Sequence, residues 1–350
     1  MLCATLVQAA TNQTLERFIT QSVAQNPAIE LESFKVDQRQ KVEGLTGWDQ
    51  VDFTVKVRMG EQSDSRSERL FTYKDVIAPQ LITLPAQEGV KTVSDEQIAA
   101  VAQQSVAANP NVELKGMRVV RRAALKPIAG WESLQLEFDL DAGRGESRRA
   151  LTTTELWFAG PGVIAPEILM LPEGRSLKHT IKGEVTPEHT REDRRIAGHE
   201  DAKNQVIVFS DPLCPACREV VPSVIALAQK HPKELAVYYY HKPISALSPV
   251  LMKASLALKE AGRSGVELAL YEKPFEISSP DEMAALEAFN KVFGSELSLS
   301  DINSNAILHH MNEDARIAGE LLIMGTPTFF VNGEFDMDQN KIEAIKRGLR

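Results

Sequence analysis

The stretch that decides the C-terminal fold is Ser210-Asp-Pro-Leu-Cys-Pro-Ala-Cys-Arg218, which contains two cysteines separated by two residues. It follows the apolar run Val206-Ile-Val-Phe209 and precedes an apolar-periodic stretch typical of a helix. Free backbone N–H groups and the positive dipole end at a helix N-terminus stabilise a thiolate, which is the nucleophilic form of cysteine. The spacing also allows a disulfide across one turn. The stretch therefore predicts thiol–disulfide exchange by Cys214 and Cys217.

The chain downstream of these cysteines predicts a domain over residues 203–350. Ser248-Pro249 predicts a helix start with Ser248 as the N-cap. Ser279-Pro-Asp-Glu282 predicts a second start with a capping box, and helical periodicity resumes over about 301–323. The predicted elements after the cysteines are a helix (about 215–230), a strand (235–241), a helical insertion (about 246–323), a strand (328–331) and a final helix (about 338–349).

A second motif, Gly325-Thr-Pro-Thr-Phe-Phe330, leads into the last predicted strand. Together with Phe209, Asp211-Pro212 and Cys214-Pro-Ala-Cys217, it resembles the thioredoxin fold of the bacterial disulfide-bond (Dsb) proteins. The cysteine stretch is similar to that of the DsbG and DsbC group, and the resemblance covers about 150 residues. It implies a thioredoxin-like fold with a helical insertion, in which Cys214 is the exposed nucleophile and Cys217 the buried resolving thiol.

The resemblance also implies a substrate site around the cysteine pair. Pro327 is expected to be a cis-proline opposite the disulfide. Thr326 is expected to contact the pair and to offer backbone groups to an extended client peptide. Pro215 and Ala216, between the cysteines, complete the predicted substrate-binding residues.

One position departs from the family pattern. Many thioredoxin-like proteins bury an acid six residues before the first cysteine, where this chain has Val208. We therefore expect the proton of Cys217 to depend on another group or on water.

The first half of the chain repeats itself. Each copy predicts a helix followed by alternating strands, and Ser94-Asp-Glu-Gln97 predicts a capping box for the second helix. We expect two tandem α+β modules, residues 11–90 and 91–175, each a helix with an antiparallel sheet. Trp48 and Trp131 are candidates for ligand stacking or for the core, and one Trp in each small module favours the core. The recurring segments are 21–31 with 104–114, 47–48 with 130–131, and 76–85 with 163–172.

Two further segments lack the pattern of a folded domain. Residues 1–10 are apolar and end in a small-x-small pattern, which predicts a signal-peptide remnant that carries Cys3. Its removal leaves only Cys214 and Cys217, which favours a chemical over a structural role for that pair. Residues 176–202 are polar with interleaved charges, which predicts a linker. The wide spacing of its histidines disfavours a metal site; these are His179, His189 and His199.

The composition argues against several classes of function. The 350 residues carry a net charge of −9 and a pI near 5.4, so nucleic-acid binding is not expected. The sequence contains no run of the roughly 18 apolar residues that would span a bilayer. Neither a second C-x-x-C nor an H-x-x-x-H pattern accompanies the cysteine pair. We therefore expect no metal and no cofactor other than the redox-active disulfide.

These features predict a periplasmic thiol-disulfide oxidoreductase that isomerises or reduces disulfides of exported proteins. Two alternatives are a DsbA-like donor oxidase and a periplasmic chaperone or adaptor that uses the thioredoxin fold as a scaffold. The expected client partners are unfolded or misoxidised exported proteins. The expected redox partner is a membrane disulfide reductase, or a quinone-linked oxidase if the protein is a DsbA-like donor oxidase. The two N-terminal modules are expected to form a platform for a homodimer or for holding unfolded clients.

Overall fold

The computed structural model describes residues 9–85, 92–143 and 149–349, which form two compact units divided between Thr180 and Ile181. Most of the predicted signal-peptide remnant, including Cys3, lies outside the described residues. Ala10, at its end, is buried in the core of the first unit, and its backbone N–H donates to Thr72 Oγ1 at 3.2 Å. The first unit is mostly sheet, and the second mixes helices and strands.

The first unit begins with helix α1 (Asn12–Ala24), which starts where the Thr11 side chain accepts a hydrogen bond from the Thr14 backbone. Five strands follow, and the burial of β2 alternates along most of its length. They are β1 (Glu30–Lys41), β2 (Asp49–Met59), β3 (Gln62–Tyr73), β4 (Val76–Ala78) and β5 (Ile82–Thr83).

The same order of elements follows in the second half of this unit. Helix α2 (Asp95–Ala107) begins with the predicted capping box: Ser94 Oγ accepts from the Gln97 backbone, and Gln97 Oε1 accepts from the Ser94 backbone. The strands after it are β6 (Val112–Ala124), β7 (Glu132–Ala142), β8 (Arg149–Gly160), β9 (Val163–Ala165), β10 (Leu169–Met170) and β11 (Arg175–Ser176).

The two sheets of this unit exchange short strands, which the sequence did not predict. One sheet has the order β1-β2-β3-β4-β10-β11, and the other has the order β5-β9-β8-β7-β6. Ile82 of β5 therefore pairs with Ile164 of β9, and Leu169 of β10 pairs with Ile77 of β4. Because each sheet includes strands from both halves, neither half is self-contained between the predicted boundaries.

The two tryptophans lie in the core of this unit, and the prediction of a core role is confirmed. Trp48 and Trp131 are buried and stack on each other with ring centroids 4.9 Å apart. Trp48 also stacks on Tyr73 at 5.5 Å. The Trp131 ring leaves no room for a Cβ atom at Gly160. The rings thus join the two halves rather than forming an open ligand site.

The second unit is built on one five-stranded sheet with the order β12-β14-β13-β15-β16. Strand β13 runs parallel to β14 and antiparallel to β15, so it is central. Helices cover both faces, which explains why β14 is buried at every position. The strands are β12 (Arg195–Ala197), β13 (Asn204–Ser210), β14 (Leu235–His241), β15 (Thr328–Val331) and β16 (Glu334–Phe335).

Seven α-helices accompany this sheet within the described part of the unit. The first follows β13 directly, the next five form the predicted helical insertion between β14 and β15, and the last follows β16. They are α3 (Pro215–Lys230), α4 (Ser248–Glu260), α5 (Val266–Glu272), α6 (Glu282–Phe293), α7 (Leu299–Ile302), α8 (Asn305–Glu320) and α9 (Asn340–Gly348).

Two predicted helix starts are shifted in the structure. Ser248 is the first residue of α4, and its hydroxyl donates to Asp211 instead of capping the helix. Asp281, rather than Ser279, caps α6 by accepting from the Ala284 backbone at 2.9 Å. A carboxylate accepts more strongly than a hydroxyl, which favours Asp281 in this place.

Residues 181–202, most of the predicted linker, belong to the second unit. Strand β12 pairs with β14 at its edge. Arg194 is buried because its guanidinium hydrogen-bonds a buried carboxylate on α8. His189 is also buried, and its Nδ1 accepts from the Thr186 backbone at 2.8 Å. The segment is polar in sequence and yet folded, because its buried side chains find hydrogen-bond partners both nearby and, for Arg194, 120 residues away.

That carboxylate, Asp314, is the centre of a buried polar cluster that joins three elements. It accepts hydrogen bonds from Arg194 Nε at 2.8 Å and from the backbone and Nδ1 of His241 at 2.9 and 2.8 Å. His310 lies beside it, with Nδ1 3.1 Å from the Arg194 guanidinium. The cluster ties the turn before β12 and the end of β14 to α8.

Acidification is expected to destabilise this unit through His310. Burial lowers the pKa of His310 to about 4, although Asp314 opposes the shift. The unfolded chain therefore binds a proton near pH 6.5, whereas the folded unit does so only near pH 4. Stability should fall by up to about 3 kcal/mol as the pH drops through this window. Urea unfolding at several pH values measures the slope. It should be shallower in His310→Gln, and equal slopes would contradict the assignment.

Candidate active site

Cys214 lies at the junction between the central strand and helix α3. It is the N-cap residue of α3, and Pro215 occupies the first helical position, where its missing N–H costs nothing. Both cysteines are free thiols in the structure. Cys217 is fully buried, whereas Pro215 and Ala216 between the cysteines are exposed. The local sequence thus places one thiol at the helix end and the other one turn inside.

Cys214 is less accessible than the sequence predicts. Only 5% of its surface is exposed, so the expectation of an exposed nucleophile is wrong for this structure. The reason is the loop before β15, whose Thr326 carbonyl oxygen accepts a hydrogen bond from Cys214 Sγ at 3.5 Å. The Thr326–Pro327 peptide bond is cis, as predicted. Both residues are half-buried beside the thiol pair.

Thr326 offers an unused polar atom at this place. Its Oγ1 is buried and satisfies no hydrogen bond within the described residues, although it lies near enough to Cys217 to lower the pKa of that thiol. A buried hydroxyl without a partner is costly, so a group that pairs with it would gain binding energy. The predicted contact between Thr326 and the cysteine pair is therefore present.

The two thiols differ in their electrostatic surroundings. Burial raises the pKa of Cys217 to about 11, while the nearby backbone of Asp211 and the side chains of Ser210 and Thr326 lower it in part. At neutral pH, Cys217 is therefore protonated and is a poor nucleophile. The arrangement leaves Cys214, at the helix N-terminus, as the thiol that can react first.

Asp211 holds the loops around the cysteines, a role the sequence did not indicate. Its fully buried carboxylate accepts from the backbone N–H groups of Leu213 and Ile244, each at 2.7 Å, and from the Ser248 hydroxyl at 2.8 Å. Its backbone oxygen accepts from the Cys214 N–H at 3.1 Å. One residue thereby joins the cysteine turn to the loop after β14 and to α4.

Arg218 also has a structural role beside the pair. Its guanidinium donates to the backbone oxygens of Pro212, Leu270 and Lys273 at 2.9, 3.1 and 3.0 Å. These bonds tie the first turn of α3 to the end of α5. The side chain remains positively charged, since guanidinium does not lose its proton in proteins.

A cation site is not part of this arrangement. Among the described residues, one group has the chemistry of metal ligands: His241, His310 and Asp314, with one atom from each within 4.8 Å of the others. His241 Nε2 is buried there without a partner. The Arg194 guanidinium, however, already contacts Asp314 and His310, and its positive charge opposes a cation at that position.

A family model described as thioredoxin matches residues 190–349, the part that contains the cysteine pair and the five-stranded sheet. The C-terminal unit is a thioredoxin-like domain. The match begins before residue 203, in agreement with β12 being part of this sheet. Because it spans less than half of the chain, it says nothing about the first unit.

Curated relatives match the chain over a limited length. Na(+)/H(+) antiporter NhaA 1 of Mycolicibacterium gilvum is 23% identical over 143 residues, which are 40% of this chain and 23% of that protein. The corresponding protein of Mycolicibacterium vanbaalenii is 24% identical over 166 residues, which are 46% of this chain and 26% of that protein. The chain thus matches about a quarter of the length of these relatives. None of the described helices is long and apolar enough to cross a bilayer.

Several solved structures are similar to this chain. The catalytic domain of Proteus mirabilis ScsC has 19% identity and a TM-score of 0.37, over 47% of this chain and 93% of its own. A thioredoxin-like oxidoreductase from Silicibacter pomeroyi has 22% identity and a TM-score of 0.38, over 47% and 97%. BdbD from Bacillus subtilis has 18% identity and a TM-score of 0.34, over 48% and 97%.

Proposed function

We propose that this protein is a periplasmic thiol-disulfide oxidoreductase that isomerises or reduces disulfides of exported proteins. The observation that carries the proposal is that two thiols with different surroundings lie close together at the start of one helix. Cys214 lies at the N-terminus of α3 against the Thr326 carbonyl, and Cys217 is protonated beneath it. A reactive first thiol and an unreactive second thiol are what stepwise exchange needs.

The reaction begins when the Cys214 thiolate attacks one sulfur of a client disulfide. A mixed disulfide forms, and the other client sulfur leaves with the electron pair and takes up a proton. That client thiol can then attack a further client disulfide, and the client thiol freed there attacks the client sulfur bonded to Cys214. The Cys214 thiolate leaves, and the client keeps a rearranged disulfide. Alternatively, Cys217 attacks Cys214, which releases the client reduced and leaves the Cys214–Cys217 pair oxidised.

The client peptide is proposed to bind beside the pair. Pro215 and Ala216 are exposed, and Thr326 and Pro327 border the thiols on the other side. The backbone groups of Thr326 are proposed to pair with an extended segment of the client. Ile244, which is 54% exposed, offers an apolar contact on the loop that Asp211 holds.

The direction of the reaction is tested by the reduction potential of the cysteine pair in glutathione buffers. A value near the roughly −270 mV of thioredoxin supports a reductase and excludes the alternative of a DsbA-like donor oxidase. A value near roughly −120 mV fits an isomerase or an oxidase. The redox state in cells then separates them, because a membrane disulfide reductase keeps an isomerase reduced and a quinone-linked oxidase keeps a donor oxidised.

The rival proposal is a chaperone or adaptor in which the thioredoxin-like domain is only a scaffold. Catalysed reduction of insulin by dithiothreitol separates the two. We expect turnover that depends on the cysteine pair. Absence of turnover, together with suppression of client aggregation, would favour the scaffold.

We propose that the first unit arose from two tandem copies and serves as a platform for unfolded clients, with homodimerisation as the second candidate. An apolar groove of about 500 Å³ supports the client role. Met59, on its wall, is 49% exposed. The lining includes Phe18, Phe53, Val55, Val57, Met59 and Leu70, with Arg66 and Arg69 also present.

A charge in this groove is expected to weaken client holding. Val57→Asp should lower affinity for a reduced, unfolded protein by about tenfold or more, because a carboxylate is costly in an apolar contact. Anisotropy of a labelled client measures the affinity. Val120→Asp is the matched control, since Val120 is 50% exposed and lies on another sheet. Equal affinities for both variants would remove the groove from the proposal, and sedimentation would then test the homodimer.

A further inference from the structure

A chain of buried hydroxyl groups leads from strand β14 to Cys217. The hydroxyl oxygens of Tyr239 and Tyr271 are 2.6 Å apart, and Tyr271 donates to Ser210 Oγ at 2.7 Å. Ser210 is the last residue of β13, and its side chain lies close enough to Cys217 to lower the pKa of that thiol. All three hydroxyl-bearing residues are buried, so the chain is shielded from solvent.

The direction of these hydrogen bonds follows from the number of protons. Each hydroxyl has one proton to donate. Because Tyr271 donates its proton to Ser210, it must accept from Tyr239. Ser210 accepts from Tyr271 and so keeps its own proton for Cys217. The two hydrogen bonds therefore run in the direction of Cys217, an arrangement in which each bond polarises the next.

The hydroxyl chain lies beside a thiol that has no buried acid on the strand next to it. Val208, at the position where many relatives of this fold bury an acid, is fully buried and packs in the same apolar cluster as Cys217. Burial raises the pKa of both Tyr239 and Tyr271, so both hydroxyls keep their protons at physiological pH. They therefore remain donors when the sulfur becomes negative.

We propose that the hydroxyl chain Tyr239–Tyr271–Ser210 stabilises the Cys217 thiolate that resolves mixed disulfides. This inference rests on the proposed function. In the step concerned, Cys217 loses its proton to water and its sulfur attacks Cys214 Sγ. The Cys214–Cys217 bond forms, the bond from Cys214 to the client sulfur breaks, and that sulfur leaves with the electron pair and takes up a proton. The client is reduced and the cysteine pair is oxidised. The three hydroxyls are positioning residues, since they act through Cys217.

The test separates the two halves of the exchange by rapid quenching. The reduced protein is mixed with a synthetic peptide that contains one intramolecular disulfide, and mixed disulfide is measured over time. Tyr271→Phe keeps the ring and removes the hydroxyl, and Ser210→Ala removes the last donor. Tyr240→Phe is the matched control: it is a buried neighbour on β14 whose hydroxyl donates to the His189 carbonyl instead.

We expect the first step, attack by Cys214, to be unchanged within about twofold in all three variants. Decay of the mixed disulfide should slow about three- to tenfold in Tyr271→Phe, and further in Ser210→Ala. A pKa of Cys217 raised by about one unit lowers the thiolate fraction tenfold, and greater nucleophilicity offsets part of this. The pH at which decay reaches its plateau should rise in both variants. Tyr240→Phe should match the wild type.

Other outcomes contradict either the role of the hydroxyl chain or the proposed function. Wild-type decay in both Tyr271→Phe and Ser210→Ala would refute the role of the hydroxyl chain and leave the proposed function intact. Equal slowing of both steps, or equal slowing in Tyr240→Phe, would mean that these hydroxyls only hold the fold together, which also refutes it. No mixed disulfide even in Cys217→Ser would instead refute the proposed function.

Discussion

Replacing Cys214 by Ser is expected to reduce disulfide exchange to the uncatalysed rate, because no other thiol lies at the N-terminus of α3. Cys217→Ser should have a different effect. Cys214 still attacks a client, but nothing resolves the product, so a stable mixed disulfide accumulates. Insulin reduction measures the first effect. Non-reducing electrophoresis and intact mass measure the second, with one client bound per chain.

Cys3→Ser is the control for these variants, since Cys3 is the remaining cysteine of the sequence. It should retain the wild-type rate. Full activity in Cys214→Ser would refute the assignment of the nucleophile. Mixed disulfides in Cys214→Ser but none in Cys217→Ser would show that the two thiols have the opposite roles.

Asp211→Ala is expected to destabilise the thioredoxin-like domain by about 3–6 kcal/mol, because three donors in buried or partly buried positions lose their acceptor. These are the backbone N–H groups of Leu213 and Ile244 and the hydroxyl of Ser248. Each costs about 1–3 kcal/mol when it is buried without a partner. Such a loss is comparable with the total stability of many domains, which is about 5–15 kcal/mol.

The buried thiol of Cys217 provides the measurement. In a Cys3→Ser, Cys214→Ser background it is the only thiol, and its labelling by a thiol reagent in urea reports opening of this domain. Ser248→Ala removes only one donor and serves as the control, with an expected loss of about 1 kcal/mol. Similar losses in both variants would show that the carboxylate does not hold the two loops.

The sequence was most informative where the residues that specify a helix start, a strand or a core position lie within one short segment. The strand that ends in C-x-x-C, the capping box at Ser94 and the core position of Trp48 all agree with the structure. Each depends on residues within one or two turns, or on alternation along one strand. The same local reading failed at Ser248, where a typical N-cap residue donates to Asp211, 37 residues away, instead.

The sequence alone determined the order of elements around the cysteine pair, because helix starts and C-x-x-C spacing are local properties of the chain. Its resemblance to the Dsb proteins added the thioredoxin-like fold. Only the tertiary structure decided how that pair is surrounded. The Thr326 carbonyl over Cys214, the hydroxyls beside Cys217 and the exchange of β5 and β10 between sheets join residues 61 to 112 positions apart or pair strands from different halves. Contacts of this kind form because burial requires each polar group to find a partner, and packing can place that partner far away along the sequence.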